Sequence, residues 1–404
     1  MTAPLAHLKI LDFSTLLPGP YATMLLADLG AEIIRVEAPG QPELTRLMPP
    51  FGADGQSAYH AVLNRSKRSL GLNLKAAGAV EIVQKLVAEQ GYNIVVEQFR
   101  PGVMARLGVG YAALKARCPH LIYCSLTGYG QTGPYRDRAG HDLNYLALSG
   151  LLSYYGRDYA EDGADVVTPP PLPMQVADVG AGSLHLVIGL LAAVIRRSVT
   201  GEGGMVDIAM HDGALAWNNL GAATALVGGV SPTPESTLLN GGSFYDLYTT
   251  KDDRLLAVGS LEPHFWQGFC QAIGRADLVP QGLTFGLSQQ RVLKEEIRAV
   301  IRAKTLEEWS AIFAEHDVCV EPVLTTAEAL DHPQTQARHM VVDVPLAAGG
   351  VQPQVGAPIK ISNHTPHYRF TGPTPGAHTH EILTELGYNA SAIDAFYQDG
   401  VVAS

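Results

Sequence analysis

A chain of 404 residues exceeds one ordinary hydrophobic core, so two domains are expected. With 47% hydrophobic and 17% charged residues and 42 glycines, it fits an α/β enzyme and excludes a disordered or fibrous chain. The formal net charge of -11 excludes general nucleic-acid binding, and an anionic ligand would have to be met by a local cluster of Lys and Arg.

In chain order, residues 8–13 read as a buried strand that Leu17-Pro18-Gly19-Pro20 breaks. Residues 21–29 have helical spacing and 32–37 form a second strand, a βαβ unit whose parallel sheet must be covered on both faces. Glu37 stands where dinucleotide folds hold a ribose, but the first turn lacks GxGxxG, so a nicotinamide cofactor is not expected. Residues 41–66 read as a surface insertion. Past Arg65, residues 67–75 alternate apolar and basic side chains. Lys67, Arg68 and Lys75, with Arg100 at the exit of a strand at 93–97, are the candidate anion contacts. Their structural alternative is a solvated edge. A strand at 121–126 opens into the glycine-rich loop 127–134, which permits close backbone approach to a ligand.

Gly140-His141-Asp142 then leads into a mostly apolar helical run through Tyr145 to about Gly150. A Pro-rich, acidic loop is expected over 155–175. Asp178 follows, and Gly180 to Ser183 open an apolar run, 184–195, that reads as a helix buried on every side. That run falls short of the roughly 20 residues a bilayer span requires, so no membrane is expected. A strand at 205–210, two strands flanking a turn at 251–253, and helices near 264–273, 291–303 and 306–315 complete the pattern. The expected division is a large α/β domain over 1–205, a linker over 206–245, a small α+β domain over 246–333, and a return to the large domain over 334–404. No basic region precedes an apolar run at the N-terminus, so no signal peptide is expected. The four cysteines lack CxxC or metal-ligand spacing, which points to a reduced, cytoplasmic setting.

Three acid–base candidates lie on turns bounded by small residues: His141, Asp178 and Glu262, the last just before Pro263. Each has a structural alternative as a helix cap or loop residue. Backbone N–H groups at the start of the 180–195 helix are candidates for holding a negative oxygen. His378 and His380 form one HxH without a third ligand spacing, so no metal is expected.

The ordered blocks LLPGPYATMLLADLGAEIIRVEAPG, NRSKRSLGLNLK, FRPGVMARLGVG, LIYCSLTGYGQTGPY, GHDLNYLALSGLL, ADVGAGS and GEGGMVDIAMHDG resemble the family III CoA-transferase superfamily almost end to end. Within it the chain looks most like the α-methylacyl-CoA racemases. Those enzymes carry a GHDxNY stretch, an Asp before a small-residue helix start, and a Glu in an xEPxF segment, here His141, Asp178 and Glu262. The resemblance implies a large Rossmann-like parallel-sheet domain and a smaller α+β domain in an interlocked homodimer, with Glu262 reaching His141 across the interface. It also implies an acyl-CoA substrate, with coenzyme A met by Arg100, Lys67, Arg68 and Lys75 and by the block of Gly140, Asp142, Asn144 and Tyr145. No metal or redox cofactor is implied. Two chemistries remain open: inversion of the α-carbon of a 2-methylacyl-CoA by two-base proton transfer, or CoA transfer between carboxylic acids with Asp178 as nucleophile. Three positions depart from the racemase pattern: Ala38 replaces an Arg found in some racemases, 41–66 is longer, and Asn240 precedes the glycines where an Asp is usual.

Overall fold

The computed structural model describes residues 3–157 and 169–404. Of the loop expected over 155–175, residues 158–168 therefore lie outside the described residues. The chain divides into two compact units, one of Met1–Ser149, Leu172–Trp217 and Pro333–Ser404 and one of Gly150–Pro171 and Asn218–His332.

The first unit is built on a seven-stranded sheet of β1 (Lys9–Phe13), β2 (Glu32–Glu37), β3 (Arg68–Leu72), β4 (Ile94–Glu97), β5 (Ile122–Thr127), β6 (Gly204–Ala209) and the C-terminal strand Val402–Ala403. The order across it is C-terminal strand, β3, β2, β1, β4, β5, β6. All pairs are parallel except the C-terminal strand on β3. Runs such as EIIRVE and IVVE suit strands covered on both faces, because Ile and Val pack on either side of the pleat. One face packs Leu11, Ile34, Leu70 and Val95 against Ile82 and Leu86 of the helix Ala79–Ala88 and against Ile382 and Ile393 from the end of the chain. Full burial of each such side chain contributes about 1.5–3 kcal/mol.

The second unit holds a three-stranded antiparallel sheet of β7 (Asp246–Thr249), β8 (Leu255–Val258) and β9 (Val320–Pro322). Its core gathers Tyr248 and Leu256 around Trp266, Phe269, Trp309 and Phe313.

Several sequence expectations change. The boundary placed at 205 falls inside β6, and the expected linker begins with the end of that strand and the helix Met210–Trp217, both in the first unit. The insertion at 41–66 is no mere surface loop: it carries short helices at Leu44–Leu47 and Ala58–Leu63, and His60, Asn64 and Arg65 are buried. The prolines at 18 and 20 do not precede the first helix but begin it, since Pro needs no N–H partner in a first turn. We label that helix α1 (Pro18–Asp28).

The apolar run at 184–195 belongs to a longer helix. A π-wound segment (Val176–Leu184) runs directly into His185–Thr200, giving 25 helical residues that contain an 18-residue stretch of mean hydropathy 1.9. It is not buried on every side. One flank packs on β5, β6 and α1, while Ile188, Ile195 and Val199 are exposed.

Candidate active site

A cleft of about 460 Å³ opens at the carboxyl ends of β1, β4 and β5, within the first unit. The strand order reverses between β1 and β4, and open α/β sheets bind ligands at such switch points. Thr15 and Leu16 follow β1 into the cleft, Arg100 and Pro101 follow β4, and Gly128 and Tyr129 follow β5. The start of α1 offers no cradle for a pyrophosphate. Pro18 and Pro20 lack N–H groups, and the N–H of Gly19 is donated to Oε1 of Gln98 at 3.0 Å.

His141 stands at the N-cap position of α2 (Asp142–Leu148) and is exposed on the cleft. Its backbone N–H is held by Oδ1 of Asn144 at 3.0 Å. Tyr145 is buried beneath it, donating to the carbonyl of Gly140 at 2.5 Å. Glycine is required at 128 and 140, because a Cβ at either position would come within 2.6 Å of the Tyr145 ring. Gly140, Asn144 and Tyr145 line the cleft. Asp142, expected among the coenzyme contacts, turns the other way. Its Oδ1 accepts the N–H groups of Ala177 at 2.6 Å and Asp178 at 3.0 Å, so it caps a helix other than its own.

Asp178 lies in the first turn of the π-wound segment and faces the same cleft as His141. It is half-buried, and among the described residues no cation pairs with it. Burial, reinforced by the nearby Asp142 carboxylate, pushes its carboxyl up to about 7. The small residues after it serve packing. A Cβ on Gly180 would fall 1.8 Å from the Trp217 ring, and one on Gly213 would fall 2.5 Å from the carbonyl of Ala181. The N–H groups expected to hold a negative oxygen are not free helix ends. The helix starts at Val176, the leading N–H groups go to Asp142, and that of Val179 goes to the carbonyl of Gln175 at 3.0 Å.

The basic candidates separate sharply. Arg100 is exposed in the cleft. Lys75 is exposed but is not among the cleft's lining residues. Lys67 is fully buried, with its ammonium spent on Asp12 (3.3 Å), the Pro20 carbonyl (3.0 Å) and Asn64 (3.0 Å). Arg68 is buried too, donating to Glu32, Glu381, Glu385 and Tyr92 at 2.7–2.9 Å. Neither can reach a coenzyme phosphate, because Arg68 on β3 and Lys67 just before it are both buried and already paired with carboxylates. Arg136 and Arg138 line the cleft instead, and sequence reasoning missed them. The available signal was YRDR, directly after the glycine-rich loop. With three arginines in a chain of net charge -11, the cleft concentrates positive charge where an anionic ligand would enter.

Glu262 belongs to the second unit, exposed at the N-cap of α5 (Pro263–Ala272), and its carboxylate makes no cap hydrogen bond. In the helix numbering α3 is His185–Thr200 and α4 is Met210–Trp217. Glu37, Glu43 and His60 bring three possible metal ligands within 4.8 Å of one another. Arg46 already grips Glu37, and Arg35 pairs with both carboxylates, so the charge there is balanced without an ion. His378 accepts the N–H of Ser69 through Nδ1 at 3.1 Å.

A family model described as CoA-transferase family III matches residues 5–379. An acyl-CoA transferase of Fusarium pseudograminearum is 34% identical, over 98% of this chain and 88% of its own length. The α-methylacyl-CoA racemase of Mus musculus is 33% identical, over 99% of this chain and 98% of its own. A solved CAIB/BAIF family protein from Brucella suis superposes with a TM-score of 0.81 at 27% identity, covering 96% of this chain and 100% of that one.

Proposed function

The chain belongs to CoA-transferase family III and acts on acyl-CoA substrates; from that premise we propose that it inverts the α-carbon of a 2-methylacyl-CoA by two-base proton transfer. The observation that carries this reading is Asp178, a half-buried carboxylate without a cation among the described residues, pushed up to about 7 on a cleft it shares with His141. A group that titrates near neutral pH is populated in both forms, as reversible proton transfer requires. In one direction His141 takes the α-proton, and the C–H electrons pass into the thioester as an enolate. Asp178, as the acid, then returns a different proton to the opposite face. The reverse direction exchanges the roles.

Arg100, Arg136 and Arg138 meet the coenzyme phosphates in this reading, and Lys75 contributes at the periphery. Glu262, whose carboxylate is free of its own helix, orients His141 from the partner subunit of a homodimer. The exposed apolar side chains of α3 are then covered by the second copy.

A second reading has support from the transferase relative at 34% identity. In it Asp178 attacks the thioester carbonyl, CoA leaves as a thiolate and a mixed anhydride forms, after which CoA passes by way of an aspartyl thioester to another acid. Incubation of one 2-methylacyl-CoA epimer in heavy water, without any carboxylic acid acceptor, separates the two. Inversion predicts deuterium at the α-position. Hydroxylamine inactivation that needs acyl-CoA and labels Asp178, with no deuterium uptake, supports transfer instead.

A further inference from the structure

The carboxylate of Asp142 has no place in the chemistry above, yet it is fixed by hydrogen bonds of 2.6 and 3.0 Å. We infer that Asp142 is a positioning residue, whose carboxylate pins the backbone of Ala177 and Asp178 and adds a negative charge to the surroundings of the Asp178 side chain in the cleft. The inference rests on the reading of Asp178 as a reacting carboxylate.

Geometry supports it first. One oxygen, Oδ1, accepts from both Ala177 and Asp178, so two successive amides are pinned at the residue whose side chain enters the cleft. The grip is tertiary, because α2 supplies the acceptor and the π-wound segment supplies the donors. Without it the leading turn would leave those N–H groups unsatisfied beside a ligand site.

The charge environment supports it second. The ionisable groups on the elements packed against this segment are Asp142 and Tyr145 on α2, His211 and Asp212 on α4, and Tyr21 and Asp28 on α1. To these add Tyr123 and Cys124 on β5, Asp207 on β6 and His185, Arg196 and Arg197 on α3, with Tyr129, His141 and the three arginines on the cleft. Of these, only Asp142 adds to burial in raising the carboxyl of Asp178. Burial raises Asp142 as well, but its two N–H bonds oppose that and favour its ionised form. Two carboxylates side by side resist a second negative charge, and the proton rests on the one with fewer donors.

The test pairs two substitutions, read by deuterium exchange at the α-carbon across pH. Asp142→Asn keeps an acceptor oxygen and removes the charge. The pH limb that tracks Asp178 should move down by roughly one unit, as expected when a like charge is removed. Asp142→Ala removes the acceptor. It should lower kcat by about 10–100-fold with KM within about threefold, since misplacement of a reacting group by an ångström can cost that much. A wild-type pH profile for Asp142→Asn, or a wild-type kcat for Asp142→Ala, overturns the inference. Should the Ala variant fail to fold, the Asn profile alone decides. Asp178→Asn distinguishes the two levels: an active Asp178→Asn sinks the reading of the site, whereas an inactive one beside an unshifted Asp142→Asn sinks only the role of Asp142.

Discussion

Two clusters of buried charge sit at the carboxyl ends of the same sheet and behave in opposite ways. Beside β1, β2 and β3, Asp12, Glu37 and Glu43 interleave with Lys67, Arg35 and Arg46. Burial alone would raise the carboxyls of Asp12 and Glu37, but Lys67 and Arg35 on the first, and Arg35 and Arg46 on the second, outweigh it and hold both below their usual values. Beside β4 and β5, Glu97 and Asp178 are buried or half-buried with no such partners among the described residues, and both are pushed up to about 7. Glu97 is raised by burial, against hydrogen bonds from Ser125 and the Phe99 N–H. Paired charges build the frame, whereas carboxylates left without a cation are held ready to exchange protons.

The largest effect should come from Asp178→Asn, which removes a proton-transfer group and should lower the exchange rate by about 10²–10⁴-fold in a heavy-water assay. In the paired cluster, Lys67→Ala leaves Asp12 buried without its principal partner. It should cost about 3–5 kcal/mol of stability in a denaturant titration, and a loss below about 1 kcal/mol would erase the contrast between the two clusters. Arg100→Ala should do the reverse. It should raise KM for the acyl-CoA about tenfold while stability stays within about 0.5 kcal/mol, as for other exposed side chains.

A smaller effect follows from linkage. The carboxyl of Asp178 is raised in the folded state, from an ordinary 3.8 to about 7. The native state therefore holds its proton longer than the unfolded one, and the resulting stability is complete below pH 3.8 and lost as pH rises through about 7. Asp178→Asn escapes that loss. Its advantage over wild type should be absent near pH 4 and grow to about 1–2 kcal/mol by pH 8, partial exposure having reduced the full value. Thermal melts across that range read the difference, and a variant less stable than wild type at pH 8 would contradict it.

Much of the sheet could be read from residue order, as could two polar residues, His141 and Asp178, that line one cleft. β-branched runs ending in Gly and Pro mark the strands, and the small residues around His141 and Asp178 mark helix starts, the N-cap of α2 for the first and the first turn of the π-wound segment for the second. Which cations are free could not be read. In residues 67–75 the alternation of apolar and basic side chains suggests one solvated face, yet every residue of β3 is buried. The partners that neutralise Lys67 and Arg68 come from positions as distant as 12 and 385. Asp142 was equally opaque. Its position at a helix start suggests a cap for that helix, and only the tertiary fold brings it to the amides of 177 and 178. The π-wound start was hidden because Gly180 to Ser183 read as the opening of the helix, whereas the helical segment already begins at Val176 and Gly180 and Gly182 admit Trp217 and Met210.

The contrast between paired and unpaired carboxylates rests most directly on the proton affinity of Asp178. Carbon-13 NMR of protein labelled at the aspartate carboxyls, with the Asp178→Asn spectrum identifying the resonance, should give a midpoint near 7. A midpoint at or below the ordinary 3.8 would mean that the carboxylate is paired after all, and would contradict its assignment as the group that exchanges protons with the substrate.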